Sequence, residues 1–90
     1  MKVVRSPLPK KKWRAIFKDG SHTDFGDPMY EDYTQHGDEE RRQAYKQRHK
    51  KDLETGDPRA AGFLSYYLLW GNSTSLQENI RAYKKRFGDL

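Results

Sequence analysis

One uninterrupted apolar stretch, Ala60-Ala61-Gly62-Phe63-Leu64-Ser65-Tyr66-Tyr67-Leu68-Leu69-Trp70, constrains this 90-residue chain more than any other feature. As a helix it is apolar around nearly its whole circumference, so it has no face to give to water and must be the buried centre of the fold. Asp57-Pro58 predicts an N-cap and a first helical position ahead of it, and Gly71-Asn72 stops it. Gly62 costs about 1 kcal/mol against Ala inside a helix, which predicts close approach of a hairpin or of another helix there. Only 33% of the chain is hydrophobic, so the two Trp, six Tyr and four Phe must supply much of the remaining core.

The flanking segments read as partners for this helix. Trp13, Ala15 and Phe17 alternate with Arg14, Ile16 and Lys18 up to Asp19-Gly20, the pattern of a β-hairpin over 13–25. A two-residue loop would set Phe17 opposite His22 and leave Phe25 on the wrong face. A three-residue loop, Lys18-Asp19-Gly20 with Gly20 left-handed, pairs Trp13 with Phe25 and gathers Trp13, Ala15, Phe17, Thr23 and Phe25 on one face. Met29 to Tyr33 reads as one helical turn with Met29, Tyr30 and Tyr33 inward. Asp38 is an N-cap for a helix over about 39–53 whose acidic start and basic end suit the helix dipole. Ser75-Leu76-Gln77-Glu78 fits a capping box for a last helix, where Leu76, Ile80, Tyr83 and Phe87 form one apolar stripe and Gly88 is the stop. The expected fold is α+β: a small N-terminal β-hairpin packed on a cluster of three main helices, one domain over 13–90, preceded by a basic extended arm over 1–12.

The net charge of +5 conceals a block pattern. Residues 1–18 hold seven basic and no acidic side chains, 19–40 eight acidic and no basic ones, and 41–51 six basic and no acidic ones. Either the blocks neutralise one another within the fold or the molecule presents separate charged surfaces. The 39–53 helix has only Ala44, Tyr45 and Leu53 as apolar residues, so most of it must face solvent or a partner. Arg42, Lys46, His49 and Lys50 fall on one face, with Arg41, Arg48 and Lys51 spread around it. Together with Lys10, Lys11 and Lys12 of the arm, and Lys84 and Lys85 of the last helix, they are the candidate partner- or polyanion-binding residues. Asn and Gln are sparse on this helix, which disfavours base readout. The aromatics have strand and helix spacing and belong to the core, with Tyr66 the exception most available for stacking.

Other chemistries lack their residues. There is no cysteine, hence no disulfide or thiolate chemistry. His22, His36 and His49 match no common metal-ligand spacing, and no calcium loop surrounds Asp27, Glu31 and Asp32. No phosphate-binding glycine loop and no nucleophile motif occur, so no catalytic residues, cofactor or small-molecule substrate are inferred, and the expectation is a non-enzyme. No apolar run approaches the roughly 20 residues of a membrane span. Met1 to Pro7 lacks the apolar stretch of a signal peptide, which predicts a reducing aqueous compartment or an assembly made there.

Several stretches carry a family resemblance: Phe25-Gly26, Tyr30-Glu31-Asp32-Tyr33-Thr34-Gln35-His36, Asp38-Glu39-Glu40-Arg41-Arg42, Tyr45-Lys46-Gln47-Arg48-His49, Asp57-Pro58-Arg59-Ala60-Ala61-Gly62-Phe63-Leu64-Ser65, Leu68-Leu69-Trp70 and Arg86-Phe87. Across about 13–87 the chain resembles a family of small basic proteins recurring in large DNA viruses of algae and amoebae. That family brings no activity and no catalytic residues. The resemblance implies viral origin and a place in the virion, with the host cytoplasm or nucleus as the site during infection. The resulting expectation is a minor capsid or cement-like protein contacting neighbouring capsid proteins and packaged DNA. The alternatives are a soluble, sequence-nonspecific nucleic-acid-binding protein acting during infection, and a small nuclease-like enzyme.

Overall fold

A computed structural model describes residues 1–90 as an α+β fold. Its elements are β1 (Lys2–Arg5), β2 (Trp13–Ile16), β3 (His22–Phe25), α1 (Tyr33–His36), α2 (Glu39–Arg48), a 3₁₀ segment (Lys50–Thr55), α3 (Ala61–Leu64) running into a π-helical turn (Ser65–Leu69), and α4 (Leu76–Phe87). The three strands form one antiparallel sheet with β2 in the middle.

The hairpin has the expected register. Trp13 faces Phe25, the Phe17 N–H donates to the Ser21 carbonyl at 2.8 Å, and Gly20 takes φ +89°. Ala15, Phe17 and Phe25 are buried on the inner face, with Trp13 packed beside them. The third strand corrects the expectation of an arm over 1–12. Val3 pairs with Ala15 across β1 and β2 and packs on the core, and Met1 is buried with its ammonium on Asp89. Lys2 and Arg5 flank Val3 and Val4 on this outer strand, and edge strands are commonly charged.

The central helix is buried through Phe63, Leu64, Leu68, Leu69 and Trp70, but it starts later than Pro58. The Asp57 side chain caps a turn instead, accepting from the Arg59 N–H at 2.9 Å. Two long-range bonds hold that turn out of the helix: the Thr23 hydroxyl donates to the Arg59 carbonyl at 2.6 Å, and the Tyr83 hydroxyl donates to that of Pro58. What crowds Gly62 is the Asp52 side chain, 3.1 Å from where a Cβ would lie, so the 3₁₀ segment makes the close approach. The long 39–53 helix is in fact broken at His49. The tighter 3₁₀ turn brings Leu53 onto the core and Asp52 under Gly62.

In α4, Ile80 and Tyr83 are buried and Leu76 and Phe87 partly so, as the stripe requires. Ser75 caps it, while Glu78 accepts from the Ser73 hydroxyl rather than closing the box. Met29 and Tyr30 do not point inward: they are 84% and 71% exposed. Asp27 closes a turn there, and α1 begins only at Tyr33, behind a capping box made by Asp32 and Gln35.

Candidate functional site

The cations of the sequence divide into those the fold uses and those it leaves free. α2 is launched by Asp38, whose carboxylate accepts from the Glu40 and Arg41 N–H groups. Its single buried residue is Arg42, only 7% exposed. The Arg42 Nε donates to the carbonyls of Trp70 (3.2 Å) and Gly71 (2.7 Å), Nη1 to Glu39 Oε1 (2.9 Å) and Nη2 to Asn72 Oδ1 (2.6 Å). These carbonyls lie where the central helix ends, so a cation here satisfies orphaned acceptors and suits the negative pole of the helix. Arg42 is therefore a cap on the core, not the partner-facing residue its neighbours suggest.

Lys12 is corrected in the same way. Its ammonium donates to the Tyr30 carbonyl (2.6 Å), Asp32 Oδ2 (2.8 Å) and Gln35 Oε1 (2.7 Å), which uses all three of its donors. Lys84 stands apart as well. It lies close enough to Asp89 to help hold that carboxyl below its usual range, after the larger effects of the N-terminal ammonium and Lys18.

Arg41, Lys46, Arg48, Lys50 and Lys51 take part in no ion pair. All are exposed except Lys46, which is half-buried, and Lys10, Lys11 and Lys85 are exposed too. The acidic block finds its partners elsewhere: Asp19 on Arg59, Asp24 on Arg14, Asp32 on Lys12 and Glu39 on Arg42. Ser21 and Arg59 hold Asp19 well below the usual carboxylate range; Arg14 does the same for Asp24, and Gln43 with Arg42 for Glu39. Internal neutralisation thus consumes half of the acidic block and only one cation of α2.

Two grooves flank α2. The larger, about 630 Å³, is lined by residues of both signs, among them Lys11, Arg41, Arg48 and His49 and the acidic Asp27, Glu31 and Asp52. Its floor is a ring stack: Tyr45 lies 4.2 Å from Trp70 at an interplanar angle of 6°, and 4.1 Å from His49 at 21°. Burial first, then Asp52 and Asp32, pushes the Tyr45 phenol up to about 12. His49 Nδ1 lies 3.0 Å from Asp52 Oδ2, so the imidazole is oriented. No hydroxyl hydrogen-bonds its other nitrogen, and no three His, Asp or Glu side chains converge as metal ligands. The smaller groove, about 320 Å³, lies between α2, the π-turn and α4, and only basic, aromatic, amide and small residues line it.

Sequence reasoning missed Asn79 and His36. Buried Asn79 donates to the Leu68 and Ser73 carbonyls and accepts from the Ser73 N–H, tying the loop to α4. His36 packs on Trp70 with its Nδ1 accepting from the Asp38 N–H at 2.9 Å. Neither polar residue interrupts an apolar pattern, so the sequence carries no mark of either.

No curated protein and no solved structure matches the chain. Residues 1–49, which contain the whole sheet, α1 and α2, match the model of DUF5754, a family of unknown function, and the chain belongs to that family.

Proposed function

We propose that the protein is a non-enzymatic structural component of the virion of a large DNA virus: a small, basic, capsid-associated protein that docks on acidic surfaces of neighbouring capsid proteins and of packaged DNA. The observation that carries this reading is the set of cations on α2 and the turn after it, Arg41, Lys46, Arg48, Lys50 and Lys51, left without ion pairs while acids nearby are paired elsewhere. Apart from Arg42 and Tyr45, α2 gives little to the core, so packing does not account for its exposed cations. Lys10 and Lys11 add exposed positive charge at the turn before β2. The viral setting rests on the family resemblance alone.

The test is the charge reversal Arg41→Glu/Arg48→Glu/Lys51→Glu, which spares the structural Arg42. The expected result is loss of incorporation into particles with an unchanged circular dichroism spectrum. Full incorporation of the folded variant would remove this surface from the account. The same unpaired cations, with the acid-free groove between α2 and α4 beside them, favour a second reading, sequence-nonspecific nucleic-acid binding. Under that reading the wild-type protein binds duplex with a steep salt dependence that the same reversal flattens.

A further inference from the structure

The groove between α2, the π-turn and α4 has a composition that its neighbours lack. Lys46 Nζ sits 5.6 Å from the Tyr66 ring centre, and the Arg86 guanidinium 5.0 Å from that of Tyr67 and 5.3 Å from that of Phe87. Neither cation meets a carboxylate, and no acidic residue lines the groove. Asn72 Oδ1 accepts from Arg42, so its amide N–H groups remain for a ligand at the rim. The floor is sealed by buried Trp70, Asn79 and Tyr83. The site is therefore rich in donors and poor in acceptors, with positive charge lying against aromatic faces. Such a site suits an anion that also carries a flat ring.

The backbone supports the same conclusion. The central helix turns π over Ser65–Leu69, closing with the Trp70 N–H on the Ser65 carbonyl at 3.2 Å. Single π-turns inside helices concentrate at functional sites. Within this one Tyr66 and Tyr67 lie side by side, rings 5.2 Å apart, next to buried Phe63, Leu64, Leu68 and Leu69. Tyr66 is half-exposed, although a fully packed core would have enclosed it. The volume, about 320 Å³, is at the small end of ligand sites, which run from roughly 300 to 1,000 Å³.

We propose that this groove is a subsite for one nucleotide of a single-stranded nucleic acid. The base stacks on the Tyr66 ring, and Lys46 and Arg86 take the adjoining phosphates. Lys46 leaves the ring it now covers and follows the phosphate, a movement its flexible stem allows. This inference deepens the second reading above and rests on it.

The experiment measures binding of a fluorescently labelled single-stranded 12-mer, a duplex of the same length, and inorganic polyphosphate to the full chain. Tyr66→Leu should weaken single-strand binding about 5- to 150-fold, the value of one base stacked on an aromatic ring, and leave polyphosphate binding unchanged. Tyr66→Phe keeps the ring and should bind the strand as wild type does, which also separates stacking from any loss of fold. Lys46→Gln should weaken all three probes and reduce their salt slopes. Unchanged strand binding by Tyr66→Leu, equal loss for strand and polyphosphate, or equal competition by a mononucleotide at the same base concentration would each overturn the proposal. The Arg41/Arg48/Lys51 reversal lies outside this groove. If that reversal abolishes duplex binding while Tyr66→Leu changes nothing, the subsite fails alone; if the reversal has no effect on any probe, the reading beneath it fails.

Discussion

Arg41 and Arg42 are adjacent arginines with opposite structural roles, and replacing each by alanine separates them. Arg42→Ala leaves the Trp70 and Gly71 carbonyls without their donor at the end of the buried helix, and it removes the partner of Asn72 Oδ1. An unsatisfied buried acceptor costs about 1–3 kcal/mol. The Gly71 bond is short and the Trp70 bond long, so the two together give about 2–4 kcal/mol. Loss of the buried stem and its contact with Tyr33 brings the total to about 3–5 kcal/mol. The contact with Glu39 adds little, because that carboxylate is 56% exposed. Arg41 is exposed and bonded to nothing through its side chain, so Arg41→Ala should fall within about 0.5 kcal/mol of wild type. Equilibrium urea melts followed by far-ultraviolet circular dichroism give both values. Against the roughly 5–15 kcal/mol of a small domain, the first loss is a large share of stability and the second is invisible. Equal midpoints for the two variants, or an Arg42→Ala loss below about 1 kcal/mol, would refute the assignment of Arg42 as a core cap.

Other perturbations follow from the same contacts. Phe63→Ala and Trp70→Ala should each cost about 3–5 kcal/mol in urea melts, and a cost below about 1 kcal/mol would make the residue a surface one. Deleting residues 1–5 removes β1 and the Met1–Asp89 contact, so the thermal midpoint should drop sharply; an unchanged melt would restore the reading of this segment as an arm. Gly71→Ala should destabilise strongly, because its Cβ would lie 2.3 Å from the Tyr67 carbonyl, and soluble, fully folded variant protein would contradict that geometry. Asp19, Asp24, Glu39 and Asp89 all titrate lower in the folded state than in the unfolded one. Their stabilisation is full above the ordinary carboxylate value of about 4 and is lost as pH falls below it, so the urea midpoint should decline on acidification in that range. At the alkaline end burial raises Tyr45 and Tyr83, so stability present below about pH 10 is lost as pH climbs through their folded values. Phenolate absorbance showing all six tyrosines ionising together near 10 in the folded protein would contradict their burial.

What the residues announced and what they withheld have physical causes. The hairpin register was legible because a one-residue slip would put Phe25 on the face away from Trp13, so the pattern admits one solution. The central helix and the α4 stripe were legible for the same reason: continuous or periodic apolarity leaves no alternative face to bury. β1 was hidden because Pro7, Pro9 and three consecutive lysines dominate the first twelve residues, while Val3 and Val4 give an edge strand too short to show a period. The turn at Asp57 to Ala60 was hidden because long-range bonds from Thr23 and Tyr83 decide it, and the break at His49 because it goes with the packing of Asp52 against Gly62 and of Leu53 on the core. In the candidate site, charge density was legible and charge availability was not. Lys12 and Arg42 look identical to their neighbours in the sequence, and only the carbonyls and carboxylates gathered around them by the fold remove them from the surface.

That partition of cations is the central claim, and the rate at which each lysine is acetylated, read by mass spectrometry, tests it most directly. In the isolated protein Lys12 should react slowly, held by Asp32, Gln35 and the Tyr30 carbonyl, while Lys10, Lys50 and Lys51 react fast. In purified particles Lys50 and Lys51 should become protected, because the docking surface is then covered. Lys12 reacting as fast as Lys50 in the free protein, or Lys50 and Lys51 labelling equally in both states, would contradict the account.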